Sequence, residues 1–143
     1  MKAPVRAASF AVGALALAAA VPTAVGSFLP VDHVAVRSEW FALRPERLWH
    51  LALAEVEAQN DGAYTIARRE EPHVLVTELA PGKKPFDGTW TYEFLPAASG
   101  TTLRITETGN VHPPFFRFVS RYVLGHTRSL DDFLAGLRAR AAV

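Results

Sequence analysis

Alternating apolar and polar residues predict two neighbouring strands in the second half of the chain. The apolar face of the first, residues 89–95, carries Trp90, Tyr92 and Phe94. The second, residues 101–109, places Leu103, Ile105 and Glu107 on one face. A period of two puts such residues on the same side of a strand, so we expect both faces to point inward. Glu107 would then be one carboxylate on an otherwise apolar surface.

After this strand pair, apolar residues recur at steps of three and four, which predicts an amphipathic helix. Pro113 and Pro114 suit its start, because proline there lacks only an amide donor that the helix does not use. About 27 residues without another proline would give a rod of about 40 Å, long enough to cross a small sheet. The apolar stripe comprises Phe115, Phe118, Val119, Tyr122, His126, Leu130, Phe133, Leu134 and Leu137.

The first half of the chain predicts one strand, one short helix and a hairpin. Residues 31–41 form the strand, with Val34, Val36, Ser38 and Trp40 on one side. Pro45 opens the short helix, whose apolar stripe is Leu48, Trp49, Ala52, Leu53 and Val56. The hairpin comprises residues 64–69 and 73–79, and residues 81–88 have the composition of a loop. This order of elements indicates an α+β fold with an antiparallel sheet.

The N-terminal segment has two interpretations. Lys2 and Arg6 precede an uncharged run of about 25 residues, from Ala7 to Val31, and about 20 apolar residues suffice to cross a bilayer. As a retained single-pass anchor, it would hold the protein in a membrane with the folded part outside the cytoplasm. As a secretion signal cleaved before Val21, it would leave a secreted protein. We therefore expect an N-terminal anchor or signal over residues 1–30 and one domain over residues 31–143.

Composition excludes several classes of protein. The formal net charge is +1 and the charges are interleaved, so no basic stripe suggests a nucleic-acid partner. The chain contains no cysteine, which excludes disulfides and thiolate metal sites. His33, His50, His73 and His112 have no metal-ligand spacing. We expect no metal and no cofactor.

Four segments resemble a known superfamily. GTWTYEFLP, GTTLRITETGNV and PPFFRFVSRYVLGHTRSLDDFLAGL are similar to the C-terminal half of the SRPBCC superfamily, and RPERLWHLAL resembles its first helix. These helix-grip proteins include polyketide cyclase/dehydrase-like and START-like, lipid-transfer members. The resemblance implies a curved antiparallel sheet of about five strands wrapped around a long C-terminal helix. It also implies a cavity between them for an apolar small molecule.

The sequence departs from the superfamily pattern between residues 59 and 72, where there is no room for a second short helix and further strands. One hairpin is therefore missing, and the cavity should be smaller or open at the side. Dimerisation or contact with a membrane through the N-terminal segment would close such an opening. A homodimer is thus one possible assembly.

The candidate ligand-binding residues are those on the inward faces of the predicted elements. They are Trp40, Trp49, Trp90, Tyr92, Phe94, Ile105, Glu107, Phe118, Tyr122 and His126. Pockets are lined mostly by such aromatic and apolar side chains, although the same spacing is typical of plain core. A buried carboxylate must be paired or protonated, so Glu107 either makes a structural bond, for example with Arg117 or Arg121, or acts with His126 as an acid/base pair.

Three functions follow from these observations. The first is non-catalytic binding of a hydrophobic small molecule or lipid at a membrane surface. The second is a polyketide cyclase/dehydratase-type enzyme that uses Glu107 and His126. The third is an interaction module that pairs with a partner through a sheet edge. We favour the first, because the resemblance implies an apolar cavity and because a structural bond is the preferred interpretation of Glu107.

Overall fold

The computed structural model describes residues 4–84 and 86–143. Within them the elements are α1 (Pro4–Ser27), β1 (Asp32–Phe41), α2 (Pro45–Gln59), β2 (Tyr64–Glu70), β3 (Val74–Leu79), β4 (Phe86–Ala97), β5 (Gly100–Val111), α3 (Pro114–Val119) and α4 (Arg128–Ala141). The strands form one antiparallel sheet in the order β1-β5-β4-β3-β2. The predicted α+β class with a five-stranded sheet is confirmed. β4 begins at Phe86, inside the segment predicted as a loop.

The core lies between one face of the sheet and the helices α2 and α4. Its fully or almost fully buried members are Leu48, Trp49, Leu75, Phe94, Leu103, Ile105, Leu130, Phe133 and Leu137. All but Leu75, which lies on β3, come from the stripes that the sequence pattern predicted on β4, β5, α2 and the C-terminal helix. Burying each such side chain stabilises the fold by about 1.5–3 kcal/mol. The core therefore fixes α4 across the sheet and determines which residues can face the space left beside it.

The inward face of β1 is the opposite of the predicted one. Directly paired residues of antiparallel strands point to the same side, and β1 pairs Ala35 with Glu107 and Phe41 with Thr101. Ala35 and Phe41 are accordingly buried, whereas the side chain of Trp40 is on the outer face and 51% exposed. The sequence pattern misled because the inward-facing residues include two charged ones, Arg37 and Glu39, which are typical of an exposed face. In the structure these two side chains reach α4 and form ion pairs with Asp131 and Arg138.

The C-terminal helix is divided, whereas the pattern predicted a continuous rod. α3 continues into a π-helical turn, Ser120–Leu124, and then stops at Gly125, whose φ of 75° lies in the left-handed region. Glycine adopts that conformation without a steric penalty, so the chain can turn there before α4 starts. Single π-turns are frequent at functional sites. The break leaves an opening above the sheet at the point where a continuous helix would cover it.

The predicted membrane anchor is corrected by the structure. No helix in the part of the chain that the structure describes is long and apolar enough to cross a membrane. Alanine supplies much of α1 and contributes little to insertion, and Pro22 lies inside the helix. The end of α1 instead packs on the domain. A Cβ atom on Gly26 would collide with the carbonyl oxygen of Pro114, and Arg117 Nη1 donates to the carbonyl of Leu29 at 2.9 Å. The division of the chain into an N-terminal segment, residues 1–30, and a domain, residues 31–143, stays a prediction.

An ion pair between buried Glu55 and partly exposed Arg140 joins α2 to α4. The carboxylate of Glu55, 8% exposed, accepts hydrogen bonds from Arg140 Nε at 2.5 Å and from Gln59 Nε2 at 2.5 Å. Gly136 leaves room for this carboxylate, because a Cβ atom at position 136 would collide with Glu55 Oε1. A buried carboxylate is stable only when its oxygens are paired. This pair therefore helps to fix the helix that forms one wall of the groove described below.

Candidate functional site

A groove of three adjoining cavities lies between the sheet and the C-terminal helical segments. The first cavity, about 300 Å³, is bounded by Tyr64, Thr77, Trp90, Tyr92 and Phe133, among others. The second, about 330 Å³, lies under the helix break and is bounded by Phe86, Val111, Phe116, Val119 and Leu124, among others. The third, about 70 Å³, shares Tyr64 and Trp90 with the first and His33, Phe86 and Glu107 with the second. Ser129 lines all three cavities.

The wall of the first cavity is aromatic. The ring centroids of Trp90 and Phe133 are 6.1 Å apart in an edge-on arrangement, and those of Tyr92 and Phe133 are 5.3 Å apart. Aromatic pairs in such geometry stabilise each other beyond their buried area, so this wall is rigid. The mouth of the cavity is polar, with Asp61 and Lys84 paired at 2.8 Å. The cavity therefore offers an apolar interior and a hydrated opening.

Two phenol groups near this wall stay protonated. Burial raises the pKa of Tyr92 far above its ordinary value, and a hydrogen bond with Thr77 opposes that shift only in part. Burial also raises the pKa of Tyr64, and the negative charge of Glu107 adds to the effect. Since both hydroxyls are neutral at physiological pH, both can donate a hydrogen bond. For both tyrosines, burial is the largest cause of the raised pKa.

Glu107 lies at the junction of the cavities in a cluster with two imidazoles. His33 Nε2 is 3.1 Å from Glu107 Oε1, and the two side chains are 15% and 18% exposed. The ring of His126 stacks on that of His33 with centroids 4.7 Å apart and an interplanar angle of 24°. Burial lowers the pKa of His126, and the nearby His33 and Arg121 lower it further. His126 is therefore mainly neutral at pH 7.

Gly109 is the residue that makes room for this cluster. β1 and β5 pair His33 directly opposite Gly109, so the imidazole lies over a residue that has no side chain. A Cβ atom at this position would lie 2.6 Å from His33 Cε1 and 3.1 Å from His33 Nε2. The first distance is shorter than any normal contact. The absence of a Cβ at Gly109 thus allows His33 to reach Glu107.

The cluster leaves two polar atoms free within the described part of the chain. His33 Nδ1 and Glu107 Oε2 are buried and have no hydrogen-bond partner among residues 4–84 and 86–143. Unsatisfied buried polar atoms are rare and are characteristic of sites that bind or react with something. These same residues contain no group of three His, Cys, Asp or Glu side chains that could hold a metal ion.

The structure separates the predicted site residues into three groups. Trp90, Tyr92, Glu107 and His126 face the groove. Trp49, Phe94 and Ile105 are core residues, at most 2% exposed. The others are elsewhere: Trp40 is on the outer face of the sheet, and Phe118 and Tyr122 pack on each other with centroids 5.0 Å apart, Tyr122 being 59% exposed. The aromatic spacing therefore identified the sheet wall but not the helical one.

His33 is the main residue that the sequence interpretation missed. It was one of several scattered histidines, and the predicted partners of Glu107 were Arg117, Arg121 or His126. Arg117 instead donates from Nη1 and Nη2 to the carbonyls of Leu29 and His112, both at 2.9 Å. The sequence offers one indication that His33 points inward, since it lies an even number of positions from Ala35 and Phe41 on the same strand. That indication is useful only once the buried face of β1 is known.

Comparison with known proteins identifies the fold. The sequence matches no family model and no curated protein. Among solved structures, norcoclaurine synthase from Thalictrum flavum superposes with a TM-score of 0.58 at 12% identity, covering 80% of this chain and 96% of that one. A protein from Mesorhizobium loti gives a TM-score of 0.56 at 16% identity, covering 75% and 95%. The di-domain ARO/CYC StfQ from the steffimycin biosynthetic pathway gives 0.52 at 14% identity, covering 79% and 53%.

These likenesses define the class of fold. The five-stranded antiparallel sheet gripping a C-terminal helix is the helix-grip fold, as the sequence resemblance implied. In this chain the C-terminal helix is interrupted at Gly125. The groove is consequently open at the side.

Proposed function

We propose that this protein binds a hydrophobic small molecule, without turnover, in the groove between the sheet and the C-terminal helical segments. The observation that carries the proposal is the continuity of the cavities. The two larger ones, about 300 and 330 Å³, are joined through the residues around Glu107 and share Ser129 and Asp132. Ligand pockets have volumes of about 300–1,000 Å³ and combine apolar walls with a few polar groups. The groove has both features.

The lining of the groove supports a ligand that is mainly apolar. Phe86, Val111, Phe116, Val119 and Leu124 bound the second cavity, and the aromatic wall bounds the first. Phe116 and Leu124 are 43% and 52% exposed. Covering such surface with a ligand is favourable by about 25 cal/mol for each Å² removed from water. Apolar burial would thus supply most of the affinity, and the Glu107 cluster would orient the ligand.

A titration with a neutral apolar fluorophore, 1-N-phenylnaphthylamine, tests the proposal on the full chain. Ser129 touches all three cavities, so Ser129→Phe should fill their junction and abolish the saturable rise in fluorescence. Ala135→Phe is the matched control, because Ala135 lies on the same helix at an exposed position outside the cavities. Saturable binding to the wild type and to Ala135→Phe, but not to Ser129→Phe, is the expected result. Equal binding by both variants would place the site elsewhere.

A second function, acid/base catalysis of the cyclase or dehydratase type, is favoured by the Glu107 cluster. His33 and Glu107 are in hydrogen-bond contact inside the groove, and a neutral His126 is stacked beside them. A carboxylate that orients an imidazole is a recurring arrangement for proton transfer. Here His33, rather than His126, is the residue in contact with Glu107.

The two functions predict different effects of Glu107→Gln. In a binding protein, this variant should alter stability and leave the affinity for the neutral fluorophore within about threefold, since the ligand is held mainly by apolar contact. In an enzyme, it should leave folding and affinity intact and abolish turnover, because the amide cannot exchange a proton. Thermal unfolding, the fluorophore titration and a turnover screen on poly-β-ketone substrates separate the two outcomes.

A further inference from the structure

The helical end of the groove carries positive charge that no carboxylate in the described residues neutralises within ion-pair distance. A small cavity of about 40 Å³ is lined there by Arg117, Ser120, Arg121 and His126, which we name the basic corner, and by the carboxylate of Asp32, which forms no salt bridge with these residues. The salt bridges found among residues 4–84 and 86–143 include neither of its arginines. A guanidinium that is partly removed from water without an anionic partner is unfavourable.

Arg117 is the clearer example of an arginine without an anionic partner in the described part of the chain. Two of its nitrogens donate to backbone carbonyls, of Leu29 and His112, and its Nε is buried without a hydrogen-bond partner among the described residues. Carbonyls satisfy hydrogen bonds but do not cancel a full charge. Arg121 is exposed beside it. Ser120, which precedes Arg121, also lines the cavity, and its Oγ lies 3.4 Å from His126 Nδ1.

The positive potential reaches the adjoining cavity. The pKa of His126 is lowered by burial and then by His33 and Arg121, although the charge of Glu107 opposes the shift. The acidic groups that face this end are Asp32 on β1, Glu107 on β5 and Asp132 on α4, and Glu107 is in contact with His33. The basic corner thus holds two arginines that form no salt bridge among the described residues and one lining carboxylate, Asp32, so an anion that enters it meets a net positive charge.

The basic corner also opens into the most apolar part of the groove. His33, Val111, Ser120 and His126 line both the small cavity and the 330 Å³ cavity. The larger cavity adds the apolar side chains of Phe86, Phe116, Val119 and Leu124, with Glu107, Arg128, Ser129 and Asp132 at its polar side. An oxyanion and an apolar body would therefore lie next to each other in one continuous space. Arginine is the preferred partner of carboxylate and phosphate oxygens because its planar fork matches their geometry.

We propose that the ligand is an amphipathic anion, with a carboxylate or phosphate held by Arg121, Arg117 and the Ser120 hydroxyl, and an apolar body in the 330 Å³ cavity. This inference rests on the proposed binding function and assigns the chemical class of the ligand. Arg121 supplies the charge that can be removed without disturbing the fold, because it is exposed. Arg117 holds the segment that follows α1 through Leu29 and has a structural role as well.

Isothermal titration of the full chain with decanoate, decyl phosphate and decanol tests this class. At least one of the two anions should bind about tenfold or more tightly than decanol, since hydrogen bonds between a guanidinium and an oxyanion are stronger than those to a neutral hydroxyl. In Arg121→Gln this preference should fall to about threefold or less, with the affinity for decanol unchanged. Arg121→Lys should keep part of the preference for an anion over decanol. Arg104→Gln is the matched control, an exposed arginine paired with Glu93 outside the groove, and should keep all of it.

Each outcome has one meaning. A preference for decanoate indicates a free carboxylic acid, and a preference for decyl phosphate alone indicates a phosphate monoester or lipid headgroup; both support the proposal. Equal binding of decanol and both anions overturns the proposed ligand class and leaves the binding function intact. Anion preference that persists in Arg121→Gln overturns the assignment to the basic corner. Failure of all three compounds to bind overturns both the ligand class and the binding function.

Discussion

Replacing Gly109 with alanine should disrupt the cluster at the centre of the groove. The new methyl group would lie 2.6 Å from His33 Cε1, and the ring cannot simply rotate away. Glu107 holds it at 3.1 Å, and His126 stacks against its face at 4.7 Å. The ring must therefore move as a whole, which separates His33 from Glu107 and leaves a buried carboxylate unpaired.

The size of the effect follows from these contacts. Forcing one methyl group into a filled site costs about 1–3 kcal/mol, and loss of a hydrogen bond to a charged group costs about 1.5–3 kcal/mol. Alanine recovers about 0.4–1 kcal/mol by restricting the unfolded chain. The two losses minus this gain should lower the free energy of unfolding of Gly109→Ala by about 1.5–5.5 kcal/mol. His33→Ala alone should cost about 2 kcal/mol, for the lost partner of Glu107.

A double-mutant cycle in urea isolates this cause. With His33→Ala already present, no ring obstructs the methyl group, so Gly109→Ala should be neutral or slightly stabilising. The coupling free energy between the two positions should then be about 2 kcal/mol or more. If Gly109→Ala costs the same in both backgrounds, the substitution acts on the strand itself and the explanation in terms of His33 is wrong.

Three further predictions concern stability. Arg140→Met should cost about 1–3 kcal/mol in urea denaturation, because buried Glu55 would lose its charged partner and keep only the hydrogen bond from Gln59. Glu55→Gln should cost less, because Arg140 is 39% exposed and water can solvate it. Gly125→Ala should cost about 1–3 kcal/mol, because φ is 75° and ψ is 145° there, a backbone conformation almost exclusive to glycine, while the methyl group itself would enter open space. Because the pKa of His126 is lowered in the folded state, its stabilising contribution is present above the ordinary value of 6.5 and is lost as pH falls through the folded pKa. Between about pH 7.5 and about pH 5, His126→Asn should therefore lose less stability than the wild type.

The elements and most of the core could be predicted from local periodicity. The alternation of Tyr92 and Phe94 with polar residues, and of Leu103 and Ile105 on the next strand, fixed which face of the sheet is buried. The inward position of Glu107 followed from the same parity. These features depend on neighbours two positions apart, which the sequence displays directly.

The rest of the site depends on pairing between distant residues. His33 and Glu107 are 74 positions apart, and only the register of β1 against β5 brings them together. The face of β1 was mispredicted because Arg37 and Glu39 look solvent-exposed until α4 supplies Asp131 and Arg138. The division of the helix at Gly125 depends on a single φ angle. Isolated glycines also occur inside continuous helices, so the pattern alone favoured a rod.

Native mass spectrometry of the full chain, purified without detergent and then incubated with 1-N-phenylnaphthylamine, decanoate and decyl phosphate in separate samples, tests the binding function most directly. We expect a one-to-one complex with at least one compound, present in Ala135→Phe and absent from Ser129→Phe. A co-purified apolar molecule released by denaturation would support the same conclusion. A bare mass in every sample, from a protein that unfolds cooperatively, would contradict the conclusion that the groove is a ligand site.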